Sequence, residues 1–395
     1  MRPLRIAIAT NNLFMGGSQQ LVATHALAFS ARGHQVAVLD LVGGPNRLAG
    51  KPEPLREPIL AAGIPLIDFH IRSARDLSEW RRALTWFRAW RPDIVHGHLP
   101  PADRWSALLG RAVGARTLAT KHDTYTDLPP RARRAERLAA RWLFDRTLAI
   151  SEATRGHLID YIGVPPERIR RVPNPVDTER FDPTRFTRQT VRRRLGLTPE
   201  GFWVGYLGRL VARKGLGVWL EAAALAAASH PELRFLVIGD GEDRALLEAR
   251  AAGLGLAERI HFAGRQVDVP AWLAACDALL FTPLAGEGLP IALLEAMAMG
   301  LPIVASNLGA NRELLDAVGL LPEPADWRFE ADSLAAAPFA AALVQLRQDP
   351  QLADRLGSAA RRRVLEHFSL DVVIEAQLAV YAELLDAPVR SRSAV

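Results

Sequence analysis

The sequence predicts an α/β protein built from two doubly wound domains. Short apolar or β-branched runs alternate with longer helical patterns, which is typical of βα units in parallel sheets. The alternation stops at VPNPVDTERFDPTRF, residues 172–186, where three prolines interrupt both periodicities, and then resumes. A length of 395 residues suffices for two or three domains with their own cores. We expect one domain over 1–175 and a second over 176–368.

Seven runs in the first half are predicted strands because they are short, apolar and rich in β-branched residues. They are Leu4–Ala9, Gln35–Leu39, Ile64–Asp68, Ile94–His96, Thr117–Thr120, Arg146–Ile150 and Ile169–Val172. A helical pattern over Gln19–Arg32 follows the first run, and Gly33 fits the C′ position after it.

The second half repeats the pattern and ends in a long amphipathic helix. Its predicted strands are Phe202–Gly208, Arg234–Ile238, Ile260–Ala263, Ala278–Phe281 and Pro302–Ala305, with a last apolar step near Gly319–Leu321. The final helix is predicted over Asp371–Leu385. Residues 388–395 have little to bury, so we expect a disordered tail.

Composition restricts the class of protein. With 49% hydrophobic and 23% charged residues, the chain resembles ordinary globular proteins and not disordered or fibrous ones. The chain has no run of roughly 20 apolar residues that could span a bilayer. The N-terminal apolar run Ile6–Ala9 is too short for a signal peptide, and the single Cys276 excludes an internal disulfide framework. We therefore expect a cytoplasmic protein.

The net charge of +6 is compatible with anionic substrates or a phospholipid surface. Only three of the 49 basic residues are lysines: Lys51, Lys121 and Lys214. The basic residues are scattered through helical patterns and accompany no nucleic-acid-binding motif, so we expect no nucleic-acid partner.

Glycine-rich loops follow two predicted strands, where open parallel sheets bind ligands. Gly16, Gly17 and Ser18 lie between the first strand and first helix, so their backbone could cradle a phosphate. The alternative is a tight βα turn with Ser18 as N-cap. IGDGED, from Ile238, only partly matches the dinucleotide fingerprint because Arg244 takes its third glycine position. A sharp strand-to-helix turn is the favoured interpretation there.

Basic side chains and histidines follow other predicted strands. Arg209 and Lys214 in YLGRLVARKGL could neutralise a departing diphosphate, or they could be solvated surface cations. His96 and His98 follow one strand, and His122 follows another. A metal site needs three or four convergent ligands, and nothing in the spacing fixes them, so we expect no metal. His122 could meet a sugar hydroxyl, or it could be a loop histidine bonded to its neighbouring aspartate.

Two glutamates surround the start of a predicted helix in TPLAGEGLPIALLEAMAMG. Pro290 suits a position near N1, and Gly300 with Pro302 ends the helix. Glu287 then lies in the preceding loop and Glu295 about five residues into the helix, roughly 10 Å away along the axis. That span suits a ligand with hydroxyls at both ends and a diphosphate between them. Glycoside hydrolysis is the alternative for paired carboxylates, but the long span and nearby phosphate-binding residues disfavour it.

The E-x7-E spacing of Glu287 and Glu295, together with Arg209 and Lys214 in GRLVARKG, resembles the retaining glycosyltransferases of the GT-B fold, family 4. The similarity runs nearly end to end through PDIVHGH, KHD, AISEATRGHL and RVPNPVDTERF, in the family's order. The resemblance implies two facing Rossmann-like domains with an inter-domain cleft. It assigns the acceptor to the N-terminal domain and the nucleotide-sugar donor to the C-terminal one, with a final helix over 369–387 crossing back to the N-terminal domain.

The resemblance also implies roles for the candidate residues. Glu295 would bind the ribose hydroxyls, and Arg209 with Lys214 would stabilise the diphosphate. His122 would lie near the anomeric centre and contact the transferred sugar. The donor sugar would be held by Glu287 with the backbone of Gly288, Leu289 and Pro290, and the Gly16, Gly17 and Ser18 loop would assist at the diphosphate.

The implied reaction moves a sugar from a UDP- or GDP-sugar to a hydroxyl acceptor by a front-face mechanism that retains an α linkage. The nucleotide-sugar is a co-substrate, and neither a cofactor nor an essential metal is expected. The acceptor would be a small molecule, a saccharide or a lipid-linked species in glycolipid, polysaccharide or glycoconjugate synthesis. Leu289-Pro290 replaces the family's common Phe-Gly, and Asn174-Pro175 its frequent Asn-Gly, so donor identity is the open point.

Three alternatives to this function remain. The same fold could support a sugar-nucleotide epimerase or a phosphorylase, or the protein could bind nucleotide-sugars without catalysis. A nicotinamide dehydrogenase is least supported because neither glycine-rich loop completes the fingerprint.

The basic stretch Pro129–Arg146 also has two interpretations. With Leu138, Trp142 and Leu143 it could lie on an anionic membrane surface as a peripheral contact. The favoured interpretation is a helix that packs its apolar side on the sheet and leaves its arginines solvated.

Overall fold

The computed structural model describes residues 2–14, 16–43, 50, 53–124, 127–322 and 336–387. The chain forms two compact units: Met1–Asn174 with Asp371–Val395 is unit 1, and Pro175–Leu370 is unit 2. The tail predicted over 388–395 lies outside the described residues.

Unit 1 contains a seven-stranded sheet in which all neighbouring strands are parallel, in the order β3-β2-β1-β4-β5-β6-β7. Its strands are β1 (Arg5–Thr10), β2 (Gln35–Asp40), β3 (Leu66–Asp68), β4 (Ile94–His98), β5 (Arg116–Lys121), β6 (Arg146–Ala149) and β7 (Ile169–Arg171). The α-helices described before β7 are α1 (Gly17–Ala31), α2 (Arg56–Ala61), α3 (Leu77–Trp90), α4 (Ala102–Ala112), α5 (Pro130–Trp142) and α6 (Glu152–His157), and a π-helix, Leu158–Ile162, follows α6 directly. Each of the seven predicted strands is confirmed, with shifts at the ends. Strand β1 is buried at all but its first residue, as expected for a sheet covered on both faces.

Unit 2 contains a five-stranded parallel sheet in the order β10-β9-β8-β11-β12. Its strands are β8 (Phe202–Leu207), β9 (Leu233–Ile238), β10 (Ile260–Gly264), β11 (Ala278–Phe281) and β12 (Ile303–Ala305). Its helices are α7 (Arg188–Arg194), α8 (Leu216–Ser229), α9 (Arg244–Gly253), α10 (Val269–Ala274), α11 (Ile291–Ala298), α12 (Gly309–Leu315), α13 (Ala336–Gln348) and α14 (Pro350–His367). The last apolar step forms a single bridge between Leu320 and Val304 and not a full strand.

The final helix, α15 (Leu370–Asp386), packs on unit 1 from Asp371 onward. Tyr381 is fully buried, with its ring 5.6 Å from that of Phe29. Glu383 accepts hydrogen bonds from Arg146 (3.0 Å) and Arg170 (2.6 Å), which lie on strands β6 and β7. Both apolar burial and charge pairing therefore hold this helix to the sheet of unit 1.

The strand order reverses once in each sheet. In unit 1, strands β1 to β3 follow one another toward one edge of the sheet and strands β4 to β7 toward the other. In unit 2, strands β8 to β10 run toward one edge and strands β11 and β12 toward the other. At such a point the two connecting loops leave toward opposite faces, which opens a crevice at the carboxyl ends of the strands. The loops after β1, β4, β8 and β11 are therefore the segments positioned to meet a ligand in each unit.

Gly215 fixes how the loops after β8 and β11 cross in unit 2. Its backbone has φ +66°, and a Cβ on it would lie 1.8 Å from the carbonyl oxygen of Thr282. The Thr282 hydroxyl donates a hydrogen bond to the Gly215 carbonyl (3.1 Å), and the Leu284 N–H donates to the carbonyl of Arg213 (2.9 Å). Only a residue without a side chain permits this crossing.

We predict that Gly215→Ala destabilises unit 2 much more than Gly196→Ala does. Gly196 has a similar φ of +72° but nothing within 4 Å of its Cβ position, so its substitution costs only the left-handed strain of about 1–2 kcal/mol. Gly215→Ala carries the same strain plus an overpacking cost of roughly 1–3 kcal/mol. Thermal and urea unfolding of the two variants compare these costs directly. Equal losses would show that the close crossing is not a constraint.

Candidate functional site

The loops after β8 and β11 meet through a charged contact. Lys214, in the short 3₁₀ turn Ala212–Lys214, donates a hydrogen bond to Oε1 of Glu287 at 2.6 Å. Arg213 Nη1 lies 3.5 Å from the same oxygen. The Lys214 and Glu287 side chains are only 13% and 9% exposed, so the pair is weakly screened by solvent. Two residues predicted to hold different parts of a ligand are thus bound to each other in this structure.

Arg213 was not among the predicted site residues. It lies in the same quoted segment as Lys214, and its backbone carbonyl and guanidinium both reach the loop after β11. The sequence signal was its adjacency to Lys214 within VARKG. The three-residue turn that brings both side chains to one carboxylate could not be read from the pattern.

Arg209 is exposed in the loop just after β8, between the half-buried Gly208 and the buried Leu210. Its carbonyl accepts a hydrogen bond from the Tyr206 hydroxyl (2.9 Å). Burial raises the pKa of Tyr206 above its ordinary value, and the nearby charge of Glu287 raises it further. Tyr206 is therefore neutral, and its hydroxyl donates to the Arg209 carbonyl. This hydrogen bond fixes the backbone that carries the exposed Arg209 side chain.

The glycines of IGDGED support this same loop. A Cβ on Gly239 would lie 1.9 Å from the carbonyl oxygen of Gly208, and one on Gly241 would lie 2.1 Å from that of Leu210. The Leu210 N–H donates a hydrogen bond to the Asp240 carbonyl at 3.0 Å. These glycines therefore serve close backbone packing between two turns, in line with the favoured interpretation of the sequence.

The start of α11 places three predicted residues, Gly288, Leu289 and Pro290, in a buried turn after Glu287. Pro290 is the N-cap, directly before the first helical residue and so near N1 as expected, because its ψ of 119° is extended. Its carbonyl accepts from the N–H groups of Leu293 and Leu294 at 3.2 and 3.3 Å. The first N–H groups of a helix lack intrahelical acceptors, so this turn offers a polar end beside Glu287.

Glu295 is the fifth residue of α11 and is only 7% exposed. Burial raises the pKa of its carboxyl to about 7, and the positive charge of Arg180 acts in the opposite direction. A buried carboxylate is costly unless hydrogen-bond donors satisfy it. A vicinal diol would supply two such donors.

In unit 1 the Gly16-Gly17-Ser18 turn follows β1 and opens α1. Gly16 is the N-cap, with an extended φ of −166°, and Ser18 is the second helical residue. The alternative in which Ser18 caps the helix is therefore wrong. Gln19 reaches back to Asn12 Oδ1 at 3.2 Å and stabilises the turn. The helix N-terminus itself lies at the carboxyl end of the sheet, the position expected for an anion site.

His122 belongs to a cluster of stacked histidines, which the sequence did not predict. Its Nε2 lies 3.0 Å from Nδ1 of His98, and the two rings stack at 5.2 Å. His96 bonds Tyr381 through Nδ1 and Thr120 through Nε2, both at 2.7 Å. His25 lies 6.0 Å from His98 between ring centroids. The sequence signal for this cluster is that the histidine-containing motifs HGH and KHD come at the ends of two predicted strands, which are neighbours in the sheet.

Burial lowers the pKa of every histidine in this cluster. The pKa of His25 falls to about 4 and that of His122 to about 3, while those of His96 and His98 lie well below their ordinary value. The four rings are therefore neutral at pH 7. Among the described residues, no group of three or more His, Cys, Asp or Glu is arranged to hold a metal ion.

A buried charge network and a glycine fix the strands beneath the cluster. Lys121, next to His122, donates to Asp103 and to Glu136, each at 2.5 Å, and thereby ties α4 and α5 to the end of β5. A Cβ on Gly97 would lie 2.4 Å from Cα of Asp103. The central glycine of HGH therefore lets α4 approach β4 and leaves His98 on the opposite side.

The basic helix α5 packs through small residues. Ala139 and Ala140 are buried in the unit 1 core, whereas Leu138 and Trp142 are 46% and 55% exposed. The helix thus packs its apolar side as predicted, but Ala139 and Ala140 make this contact while Leu138 and Trp142 remain exposed. None of the helices in the described part of the chain has the length and apolarity to cross a bilayer.

Two family models match the chain. The model described as Glycosyltransferase Family 4 matches residues 15–180, and the one described as Glycosyl transferases group 1 matches residues 201–349. Among curated relatives, the lipopolysaccharide core biosynthesis mannosyltransferase LpsB of Rhizobium meliloti is 32% identical over 59% of this chain. The 2-deoxystreptamine glucosyltransferase of Streptomyces kanamyceticus is 31% identical, also over 59%. The matched regions span 65% and 63% of those proteins, less than two thirds of either.

Solved structures share the fold. HepE from Anabaena, solved in complex with UDP-glucose, superposes with a TM-score of 0.82 at 20% identity and covers 96% of this chain and 100% of that one. Its fold matches the two Rossmann-like parallel-sheet units described above, the GT-B class that the sequence predicts. Together the two family models cover most of the chain, residues 15–180 and 201–349, so the chain belongs to the family 4 glycosyltransferases.

Proposed function

We propose that the protein is a retaining glycosyltransferase that moves a sugar from a nucleotide-diphosphate donor to a hydroxyl acceptor. The observation that carries this proposal is the arrangement around α11 in unit 2. A buried carboxylate, Glu287, lies against Lys214 before the helix, and a second buried carboxyl, Glu295, lies within it. Carboxyl groups and a lysine thus lie together near the carboxyl end of β11. We assign the carboxyl groups to the hydroxyls of the donor and the lysine to its phosphates.

The proposed chemistry assigns each group one task. The bond from the anomeric carbon to the donor phosphate breaks, and the nucleotide diphosphate leaves with the electron pair. Arg209 and Lys214 offset its developing charge. The acceptor oxygen forms the new bond on the same face, and its proton passes to the leaving phosphate. Glu287, with the backbone of Gly288 to Pro290, orients the sugar, and no metal takes part.

The nucleobase, sugar and acceptor are proposed only by class. HepE was solved with UDP-glucose, LpsB is named for mannose transfer in lipopolysaccharide core synthesis, and a third relative for glucose transfer to 2-deoxystreptamine. The donor here is a UDP- or GDP-sugar, and the acceptor is a saccharide, lipid-linked or small-molecule hydroxyl.

For a lipid-linked acceptor, the exposed Leu138 and Trp142 on the Arg-rich helix α5 would contact an anionic membrane face. Vesicle flotation with Trp142→Gln tests that contact: wild type floats with anionic vesicles and the variant does not.

We predict that Glu287→Gln lowers kcat/KM with the preferred donor by roughly 100-fold or more, because it removes the charge that orients the sugar and pairs with Lys214. A thermal-shift screen of UDP-, GDP- and ADP-sugars selects that donor. Nucleotide release is then measured with acceptor, in the presence of EDTA. Glu248→Gln, which breaks a half-exposed pair with Arg244 on α9, is the control and keeps full activity.

Three outcomes would contradict the proposal. Full turnover by the Glu287→Gln variant would contradict the site assignment. Loss of turnover in EDTA would contradict the metal-free mechanism. An epimerised sugar nucleotide formed from donor alone would indicate an epimerase, and stabilisation by a donor without turnover of any acceptor would indicate a binding protein.

We predict that donor affinity rises with pH up to about 7 and then levels. Glu295 accepts two hydroxyl hydrogen bonds only when ionised, and its pKa in the free protein is about 7. Below that pKa, donor binding must release a proton, so affinity falls by up to roughly tenfold per pH unit. Calorimetry with UDP-glucose, or with the sugar nucleotide that the screen selects, measures this between pH 5.5 and 8. Glu295→Gln should bind weakly with a flat profile. A flat wild-type profile would contradict the role of Glu295.

A further inference from the structure

One hydrogen bond joins the rings of His98 and His122. Both are neutral at pH 7 because burial lowers the pKa of each. Nδ1 of His98 and Nε2 of His122 are 3.0 Å apart, which is a hydrogen bond, so one of these nitrogens carries the proton and the other accepts. The choice fixes the tautomers of both rings, since a neutral imidazole has a single N–H.

The surroundings of His98 decide between the two arrangements. Its other nitrogen, Nε2, is buried and has no hydrogen-bond partner within the described residues. If His122 were the donor, the proton of His98 would be on this Nε2 as a buried N–H without an acceptor. Orphaned buried N–H groups are rarer than unpaired acceptors. The proton therefore lies on Nδ1 of His98, which donates to Nε2 of His122.

We propose that His98 is a positioning residue that fixes His122 as its Nδ1–H tautomer, so that His122 presents a hydrogen-bond donor to its ligand. The identity of that ligand as the transferred sugar rests on the function proposed above. In this tautomer the second ring nitrogen of His122, Nδ1, donates its N–H to a hydroxyl oxygen of the sugar and holds no lone pair with which to take a proton. His122 therefore orients the sugar and is not the base that deprotonates the acceptor.

The neighbouring residues hold this arrangement rigid. His96 is occupied on both ring nitrogens, by Tyr381 and Thr120, so it does not compete for His98. Lys121 anchors the chain directly before His122 through its two buried carboxylate partners. Rigid neighbours of this kind lock the ring that a catalytic site must orient.

The tautomer can be measured without any substrate. Nitrogen-15 NMR of the full chain labelled at histidine, with His122→Gln used to assign the His122 signals, reports which ring nitrogen is protonated. We expect a proton on Nδ1 and none on Nε2 of His122 at pH 7. A proton on Nε2, or rapid averaging over both nitrogens, overturns the proposal whether or not the protein is a glycosyltransferase.

Kinetics of His98 variants test the consequence. His98→Leu removes the donor and should lower kcat by roughly tenfold to 100-fold with KM changed less, because the sugar is held but misoriented. His98→Asn keeps an amide N–H near the Nδ1 position and should recover most of the rate. Thr117→Val removes a buried hydroxyl hydrogen bond at the opposite end of β5 and serves as the control: it lowers thermal stability but leaves kcat and the His122 spectrum unchanged.

The outcomes separate the two proposals. Equal rate loss in the His98→Leu and His98→Asn variants, or a Thr117→Val variant as slow as His98→Leu, would show that His98 has only a general structural role. Failure of every sugar nucleotide to turn over would contradict the proposed function, while the NMR result would still decide the tautomer.

Discussion

The close crossing of two loops at Gly215 and Thr282 is the constraint on which the candidate site depends. One loop leaves β8 and the other leaves β11, at the point where the strand order of the unit 2 sheet reverses. Because their backbones touch with no room for a Cβ, Lys214 on one loop meets Glu287 on the other. A side chain at position 215 would separate the cation from the carboxylate, and with them the groups proposed for phosphate and sugar.

Unit 1 uses a different solution at its own strand ends. There the polar groups are neutral imidazoles, a hydroxyl and a phenol, packed among aromatic rings and supported by one buried charge network. Burial makes protonation of the histidines unfavourable, so their hydrogen bonds have fixed directions at neutral pH. Unit 2 instead concentrates opposite charges.

The strands and the strand-end locations of the candidate residues were predictable from the sequence, since both follow from periodicity and from the position of parallel strands. Contacts between loops were not. The Glu287–Lys214 pair depends on a three-residue turn and on Gly215, and the His98–His122 bond depends on the register of two strands. Helix α1 is capped at Gly16 and not at Ser18, because side-chain preference alone does not fix where the first helical residue falls.

The most direct test of the central claim is a crystal structure of the protein with its preferred nucleotide-sugar. The account predicts the diphosphate within hydrogen-bond distance of Lys214 and Arg209, the ribose hydroxyls on Glu295 and the sugar beside Glu287. A diphosphate bound away from the crossing of the β8 and β11 loops, with Glu287 still closed onto Lys214, would contradict it.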